Sequence, residues 1–119
     1  MQSNIFAIMA PLLKEKKSNI DCDEVITFLG RYRPGDWIYP AALHRNLKMS
    51  ITDIYEVLEL CTEAGLLDPY LDVYCPHCQR FTGYRYKTLL EIPDELNCVN
   101  CDKLIQTPER HAIVIYRVK

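Results

Sequence analysis

The sequence lacks the features by which several broad classes of protein are identified. Its 119 residues contain no low-complexity run, no internal repeat and no apolar segment near the length that a membrane span requires. The chain starts MQSNIFAIMAPLLKEKK, with no basic stretch ahead of its apolar run, and reaches charged residues too soon for a signal peptide. We therefore expect an ordinary globular protein, neither exported nor anchored to a membrane.

Sequence patterns of catalysis are also missing. The chain has no glycine-rich loop that could bind a phosphate, and no Ser-His-acid or Cys-His pattern whose spacing supports nucleophilic catalysis. Its three histidines, His44, His77 and His111, are scattered, and each is expected at the surface. We predict that the protein is not an enzyme and has no small-molecule substrate.

Cysteines, by contrast, are concentrated in one stretch. Residues 74–101 read YCPHCQRFTGYRYKTLLEIPDELNCVNC and hold four of the six cysteines as two Cys-x-x-Cys pairs nineteen residues apart. This is the spacing of a zinc ribbon, in which two tight turns each present two thiolates to one ion. The turn-forming residues Pro76, Asn97 and Asn100 stand inside or beside the pairs. The sequence therefore predicts one structural Zn²⁺ with four ligands: Cys75, Cys78, Cys98 and Cys101.

Other uses of these cysteines fit the pattern less well. A redox Cys-x-x-Cys needs only one pair, normally just after a strand and at the start of a helix. Two disulfides would require an exported protein. His77 lies between the first two cysteines, but four thiolates already complete a tetrahedral site. Because a closed site leaves no position for substrate, the metal is expected to be architectural, and reduced thiols favour the cytoplasm, or the nucleus in a eukaryote.

The charge distribution gives no basic half that would indicate a nucleic-acid partner. The net charge is −2; residues 1–74 carry seven Lys or Arg against eleven Asp or Glu, and residues 75–119 carry seven against five. Four zinc-bound thiolates and the ion would add about −2 to the second part, which leaves it near neutral.

The segment before residue 18 has the pattern of an amphipathic helix. Ile5, Ile8, Met9, Leu12 and Leu13 recur at helical spacing within residues 4–17, and lysines close the end. Pro11 predicts either a kink or two short turns. We expect this segment, residues 1–18, to pack its apolar face on the following domain; the alternative is a dimerisation or partner-binding face.

The segment that follows carries start and stop signals for three short secondary-structure elements. Asp21 is a candidate cap for a helix that buries Val25, Ile26, Phe28 and Leu29, with Cys22 exposed or half-buried at its start. A turn over residues 33–36 precedes the apolar stretch 37–39, and Pro40 at a first helical position starts another helix.

Residues 43–68 resemble the helix-turn-helix half of a winged-helix domain. Leu47, the Ser50 cap and an apolar stripe lead to Ala64-Gly65-Leu66-Leu67, where Gly65 permits a left-handed helix end; the stripe is Ile54, Val57, Leu58 and Cys61. Lys48 stands where the turn of this family commonly has Gly. The resemblance implies a winged-helix domain over residues 19–74, with residues 50–64 as the recognition-position helix.

Residues 67–75 alternate as a strand that would form the wing and run into the first cysteine pair. Residues 80–92 read as a strand or hairpin, and the β-branched run after Pro108 reads as a strand that completes the ribbon's sheet. The predicted fold class is α+β: a winged helix-turn-helix followed by an antiparallel zinc ribbon at residues 75–119. This architecture resembles that of the large subunit of the general transcription factor TFIIE and its archaeal relative.

Two surfaces are candidates for partner binding. The exposed side of the recognition-position helix carries Tyr55, Glu56 and Glu59, and no Lys or Arg lies between Lys48 and Arg80. Because DNA affinity comes largely from neutralising phosphates, this acidic face favours docking of a protein. The second surface is the aromatic and basic ribbon strand, whose rings either bind bases or pack in the core; it comprises Arg80, Phe81, Tyr84, Arg85, Tyr86 and Lys87.

These observations predict a non-catalytic, zinc-stabilised docking or regulatory subunit that binds a protein within a larger assembly, of a kind that can include nucleic acid. The alternative is a DNA-binding winged-helix transcription regulator. Its contacts would come from basic residues around the helix-turn-helix or on the ribbon: Arg31, Arg33, His44, Arg45 and Lys48, or Arg80, Arg85 and Lys87.

Overall fold

The computed structural model describes residues 4–119. Within this range the α-helices are α1 (Ala10–Lys16), α2 (Cys22–Leu29), α3 (Pro40–Asn46) and α4 (Ile51–Glu63). The strands are β1 (Trp37–Ile38), β2 (Leu67–Tyr74), β3 (Phe81–Tyr86), β4 (Glu95–Asn97), β5 (Leu104–Gln106) and β6 (Ala112–Val118). Short 3₁₀ helices occupy Ile5–Met9, Leu89–Glu91 and Pro108–His111. This mixture of helices and antiparallel sheet agrees with the predicted α+β class.

The chain divides into two compact units. Unit 1 comprises the chain up to Asp68 together with Tyr116–Lys119, and unit 2 comprises Pro69–Ile115. Unit 2 is therefore an insertion within the sequence of unit 1, and β2 and β6 each run from one unit into the other. The predicted segments 1–18, 19–74 and 75–119 divide the chain at other places, and residues 1–3 of the first lie outside the described residues.

The N-terminal apolar face differs from the prediction. Phe6, Met9 and Leu13 are buried, whereas Ile5 and Ile8 are 38% and 66% exposed. The reason is the 3₁₀ geometry of Ile5–Met9, which has three residues per turn and so aligns position 6 with position 9. The α-helical turn that follows then aligns position 9 with position 13. Of the two outcomes predicted for Pro11, the structure has two short helices, with this proline in the first turn of α1.

Asn4 fixes the start of this segment within unit 1. Its side-chain oxygen accepts from the backbone N–H of Phe6 at 3.0 Å, and its Nδ2 donates to the carbonyl oxygen of Ile26 at 2.9 Å. A Cβ at Gly30 would lie only 2.5 Å from that Nδ2. Glycine at position 30 is therefore required for the close approach of Asn4 to α2.

The predicted helix ends are confirmed in α2 and α4. The carboxylate of Asp21 accepts from the N–H of Glu24, and the hydroxyl of Ser50 accepts from the N–H of Asp53, both at 3.1 Å. After α4, Gly65 has a φ of 83°, and the N–H of Leu66 donates to the carbonyl oxygen of Cys61 at 3.0 Å, as in a Schellman ending.

The apolar stripe of α4 lies in the core of unit 1. Its members are all fully buried: Ile54, Val57, Leu58 and Cys61. Burial raises the pKa of the Cys61 thiol to about 12, so this cysteine behaves as an apolar residue, as predicted. Cys22 was predicted to be exposed or half-buried, but it is only 6% exposed because its thiol turns inward to the carbonyl oxygens of Lys17 and Ile20.

The C-terminal strand returns to unit 1, which the sequence did not predict. β1 and β6 pair antiparallel, with Trp37 opposite Arg117 and Ile38 opposite Tyr116. The hydrogen-bonded order of the four-stranded sheet is β1-β6-β2-β3. The strand therefore lies in one sheet with β2 and β3, and it also pairs with β1, a neighbour that alternation along a strand does not indicate.

Unit 2 has a small core of its own. β2 pairs with β3, and β4 pairs with β5. One buried apolar cluster of this unit comprises Val73, Cys75, Ile92, Cys98 and Ile105. Asp72 alternates with the apolar residues Leu71 and Val73 in the sequence, yet it is fully buried, next to a register shift between Asp72 and Tyr74. Its carboxylate accepts from the N–H of Gly83 at 3.2 Å and lies 3.5 Å from the Thr82 hydroxyl.

Candidate functional site

The four predicted metal ligands come together in unit 2. The sulfur atoms of Cys75, Cys78, Cys98 and Cys101 all lie within 4.8 Å of one another. The distances between Cys75 and Cys101 and between Cys78 and Cys98 are both 3.7 Å. With Zn–S bonds of about 2.3 Å, the edge of a regular tetrahedron is about 3.8 Å. The four sulfurs are therefore spaced to hold one tetrahedral metal ion.

The two cysteine pairs are presented by the same backbone turn. The N–H of Gln79 donates to the carbonyl oxygen of Cys75 at 2.9 Å, and the N–H of Asp102 donates to that of Cys98 at 2.8 Å. Gln79 and Asp102 have φ angles of 59° and 60°, the left-handed region that ordinary residues rarely adopt. Two turns with this shared strain, each just after the second cysteine of its pair, are typical of a built site.

Backbone amides favour the charged form of one ligand. Burial opposes ionisation of Cys98, but hydrogen bonds from the N–H groups of Cys101 and Asn100, together with those from the Cys78 and Cys75 thiols, lower the pKa of this thiol to about 7. The Asn100 nitrogen lies 3.4 Å from the Cys98 sulfur. Burial and the neighbouring thiols raise the pKa of Cys78 to about 12. Four thiolates packed together need a cation to offset their mutual repulsion.

The site is closed by protein. Cys75 and Cys98 are buried among the apolar side chains of unit 2, and Cys78 and Cys101 are half-buried beside them. The Asn100 side chain donates to the carbonyl oxygen of Phe81 at 3.1 Å, which ties the second turn to β3. All six cysteines are free thiols, so no disulfide competes with metal binding. A closed Cys₄ set offers structure and no open coordination position.

The histidines contribute no ligand to this cluster. His77 is exposed between Cys75 and Cys78, and among residues 4–119 the group close enough to share an ion is the four cysteines. His44 is exposed, with its Nδ1 3.0 Å from the carbonyl oxygen of Met49, and His111 is half-buried.

Some side chains of the aromatic and basic ribbon strand pack against the protein, and others are exposed to solvent. Phe81 packs edge-on against Tyr74 with ring centroids 5.3 Å apart, and Tyr86 is half-buried against the core of unit 2. The Lys87 ammonium lies 4.1 Å from the centre of the Tyr70 ring. Tyr84 is 39% exposed, and Arg80 and Arg85 are exposed.

The acidic face of α4 has a counter-charge that the sequence pattern did not reveal. Lys17, the residue at the end of α1, places its Nζ 2.5 Å from Asp53 and 2.6 Å from Glu56. These hydrogen bonds lower the pKa of Asp53 and raise that of Lys17. The expectation that the carboxylates of α4 face outward with no counter-charge was therefore wrong.

A third carboxylate of this face is also engaged. The hydroxyl of Tyr116 donates to Glu59 at 2.6 Å, and Tyr116 itself is fully buried. Burial and the nearby Glu59 carboxylate raise the pKa of the Tyr116 hydroxyl. This bond joins positions 57 residues apart in the chain, so no local pattern could have indicated it.

The same face of α4 lines a groove in unit 1. Its volume is about 750 Å³, and its walls combine the apolar side chains Ile51, Tyr55 and Leu60 with charged ones: Lys16, Lys17, Glu56 and Glu59. The three α4 residues among those predicted to bind a partner, Tyr55, Glu56 and Glu59, line this groove, whereas those predicted on the ribbon strand do not. Ile51 and Leu60 are apolar members of this groove that were not among the residues predicted to bind a partner.

The Lys17 bridge predicts a defined pH dependence. Because the pKa of Asp53 is lowered, its ion pair stabilises the folded protein above its ordinary pKa of 3.8. This stabilisation is lost as the pH falls through the lowered pKa. Because the pKa of Lys17 is raised, its ion pairs stabilise the folded protein below its ordinary pKa of 10.5. This stabilisation is lost as the pH rises through the raised pKa. Lys17→Gln should therefore be less stable than the parent between about pH 4 and pH 10, and the two should converge in acid.

Denaturant midpoints measured against pH test this. Lys14→Gln is the matched control, since Lys14 lies 3.8 Å from Asp23 and both side chains are largely exposed. A difference in stability between Lys17→Gln and the parent that persists at pH 2 would show that the Lys17 ion pairs are not its cause.

No protein-family model matches this chain, and comparison with curated proteins and with solved structures found no match either. Within residues 4–119, no helix is both long enough and apolar enough to cross a membrane.

Proposed function

We propose that this protein is a non-catalytic docking or regulatory subunit, stabilised by one structural zinc ion, that binds a protein partner within a larger assembly. The observation that carries the proposal is the groove on α4. Its apolar side chains lie on the side of the helix that faces away from the buried stripe, and its carboxylates are mostly engaged within unit 1. Apolar surface of this kind favours another protein as the ligand.

The metal is proposed to be zinc because four thiolates at tetrahedral spacing are its commonest structural site. It would be held by Cys75, Cys78, Cys98 and Cys101 and would contribute folding free energy to unit 2. Reduced thiols that bind zinc also favour the cytoplasm or a nucleus as the location.

Unit 1 is proposed to be a winged helix whose wing carries the metal. The order α2, β1, α3, α4, β2 and β6, with β6 hydrogen-bonded between β1 and β2, supports this reading. In the sequence, unit 2 begins within β2 and ends within β6, where such a domain has its wing. The resemblance to the large subunit of TFIIE concerns a winged helix followed by a Cys₄ ribbon, and a role in a transcription assembly is proposed by analogy with it.

DNA reading by α4 is disfavoured by what lies against it. The major groove is about 12 Å wide and admits one helix. Lys17, at the end of α1, pairs with Asp53 and Glu56 of α4, so α1 lies beside the face that would have to enter the major groove. Lys17, which could have met a phosphate, is already paired with two carboxylates.

The test is capture of the partner with a substitution in the groove. Ile51 is 43% exposed and begins α4, so Ile51→Asp places a charge in the apolar groove at a position where a helix tolerates an acid. We expect this variant to lose at least tenfold in recovery of any specific partner from a lysate of the source organism, with melting unchanged. Ile8→Asp, the same change at a residue that is 66% exposed and is not among those lining the groove, should retain binding.

Two other results would contradict this proposal. Partners captured equally by Ile51→Asp would show that docking does not use the groove. A duplex-library selection that enriches a consensus, lost on changing Arg45 and Lys48 to Ala, would instead indicate a DNA-binding regulator.

A further inference from the structure

Asp72 and Thr82 are buried polar residues of unit 2 that lie close together. Their exposed fractions are 0% and 5%, and the Thr82 hydroxyl lies 3.5 Å from a carboxylate oxygen of Asp72. That oxygen accepts from the backbone N–H of Gly83 at 3.2 Å, and the Thr82 hydroxyl oxygen accepts from the N–H of Tyr84 at 3.2 Å. Burial of a carboxylate is unfavourable unless hydrogen bonds compensate it, and here the donors lie in one short segment, residues 82–84.

This segment is a bulge in β3. Along the hairpin, Asp72 lies opposite Arg85, and the next pair is Tyr74 with Phe81. Between these pairs one residue of β2 faces three of β3, so β3 contains two extra residues. Gly83, in the middle of the three, has a φ of 82°, a conformation that favours glycine. The two buried side chains therefore provide acceptors for bulge amides that are out of step with the neighbouring strand.

The residues just before the bulge hold both cysteine turns. In the first turn, the N–H of Cys75 donates to the carbonyl oxygen of Arg80 at 2.8 Å. In the second turn, the Asn100 side chain donates to the carbonyl oxygen of Phe81 at 3.1 Å, and the Asn100 backbone nitrogen lies 3.4 Å from the Cys98 sulfur. Two consecutive carbonyl groups at the start of β3 therefore fix one cysteine turn each.

The bulge determines where these two carbonyl groups lie. If pairing continued regularly from Asp72 and Arg85, position 83 and not position 81 would lie opposite Tyr74. Residues 80 and 81 would then be displaced along the strand by two residues, about 7 Å. The two turns would lose their common attachment to β3, and the four sulfur atoms would lose the spacing that suits one tetrahedral ion.

We infer that Asp72 is a positioning residue for the metal centre. Its carboxylate holds the bulge of β3, and the bulge brings the two cysteine turns to the separation that one metal ion requires. Thr82 acts with it through the N–H of Tyr84. The inference rests on the zinc site of the proposed function and adds to it a residue outside the four cysteines. Polar groups that orient metal ligands without binding the metal typically change its affinity by about tenfold to a hundredfold when they are removed.

Zinc affinity, measured in full-length variants by competition with a chromophoric chelator, is the first test. In Asp72→Ala the N–H of Gly83 loses its acceptor, and we expect the affinity to fall about tenfold or more. Asp72→Asn keeps an acceptor oxygen at the same place and should recover the affinity to within about threefold of the parent. Thr82→Val removes one hydroxyl at nearly constant volume and should show a smaller loss.

A spectrum separates positioning from a general loss of stability, which also weakens zinc binding because binding and folding of unit 2 are linked. Cobalt(II) in place of zinc has visible absorption bands that depend on the coordination geometry. At saturating cobalt(II), Asp72→Ala should have shifted or weakened bands, and Asp72→Asn should have those of the parent. Ile92→Val, which removes one methyl group from the buried cluster of unit 2, is the matched control and should leave the bands unchanged.

The path from Asp72 to the second cysteine turn is tested by a double-mutant cycle. Asn100→Ala removes the bond to the Phe81 carbonyl oxygen, which the bulge positions. If Asp72 acts through this bond, the double variant Asp72→Ala, Asn100→Ala should lose less affinity than the product of the two single losses.

The outcomes separate this inference from the zinc site itself. Parent-like cobalt(II) bands in Asp72→Ala, losses that simply multiply in the double variant, or an Asp72→Asn variant as weak as Asp72→Ala would each overturn the inference while the zinc site stands. If Asp72→Ala takes up no metal, Thr82→Val decides: altered bands support the inference and unchanged bands overturn it. A parent protein that binds neither zinc nor cobalt(II) would overturn the zinc site and the inference with it.

Discussion

Replacing Cys98 with Ser is expected to abolish metal binding and to unfold unit 2. Cys98 is 1% exposed, is one of the four proposed ligands and belongs to the buried apolar cluster of this unit. Structural zinc contributes about 10–16 kcal/mol of apparent binding free energy in small finger peptides, more than a core of this size supplies. Amide resonances of residues 69–115 should collapse to unfolded positions in a two-dimensional NMR spectrum of the variant.

Cys22→Ser is the matched control for this substitution. Cys22 belongs to unit 1 and lies next to the carbonyl oxygens of Lys17 and Ile20, to which a serine hydroxyl could also donate. This variant should keep its metal and its spectrum. Retention of folded resonances in unit 2 of Cys98→Ser, with no metal bound, would show that the apolar core alone is sufficient.

Removal of the metal is expected to weaken unit 1 as well, through the connectivity of the chain. Unit 2 spans Pro69–Ile115, and the strands that leave it and enter it belong partly to unit 1. When unit 2 unfolds, folding of unit 1 must close a flexible loop of 47 residues. The entropy of that closure costs about 3 kcal/mol. For a unit of this size, such a loss lowers the melting temperature by more than about 10 °C.

The single tryptophan makes this measurable. Trp37 lies in β1, is half-buried and has the Arg117 guanidinium 5.5 Å from its ring centre, so its fluorescence reports on unit 1. Thermal unfolding followed at this residue, with and without a chelator, should show a cooperative transition in both cases, shifted downward in the second. A variant in which a short Gly-Ser linker replaces residues 69–115 should recover stability without metal. An unshifted transition would contradict the loop-closure account, and complete loss of the transition would show that unit 1 cannot fold alone.

The features that the sequence predicted correctly depend on short-range patterns. The spacing of the cysteine pairs identified the cluster that the structure assembles, because a Cys-x-x-Cys turn leaves few backbone choices. Local sequence also predicted the helix ends, namely the caps at Asp21 and Ser50 and the left-handed ending at Gly65. Each cap, helix end and Cys-x-x-Cys turn depends on residues fewer than six positions apart, and the matched spacing of the two turns linked them across nineteen residues.

The features that were missed depend on distant residues or on a change of helical period. Lys17 and Asp53 are 36 positions apart, and no rule of charge patterning along a helix connects them. Phe6 was overlooked because the buried spacing changes from three to four residues where the 3₁₀ helix passes into α1. Asp72 is buried because of an irregularity in strand pairing, which alternation of polar and apolar residues does not indicate.

The metal centre is tested most directly by elemental analysis combined with X-ray absorption spectroscopy of the purified protein. The account predicts one zinc per chain, with four sulfur neighbours at about 2.3 Å and no nitrogen or oxygen ligand. It also predicts that Cys98→Ser contains no zinc, whereas Cys22→Ser contains one. A folded parent protein without metal, with iron in place of zinc, or with a mixed nitrogen and sulfur shell would contradict the claim that Cys75, Cys78, Cys98 and Cys101 form a closed structural zinc site.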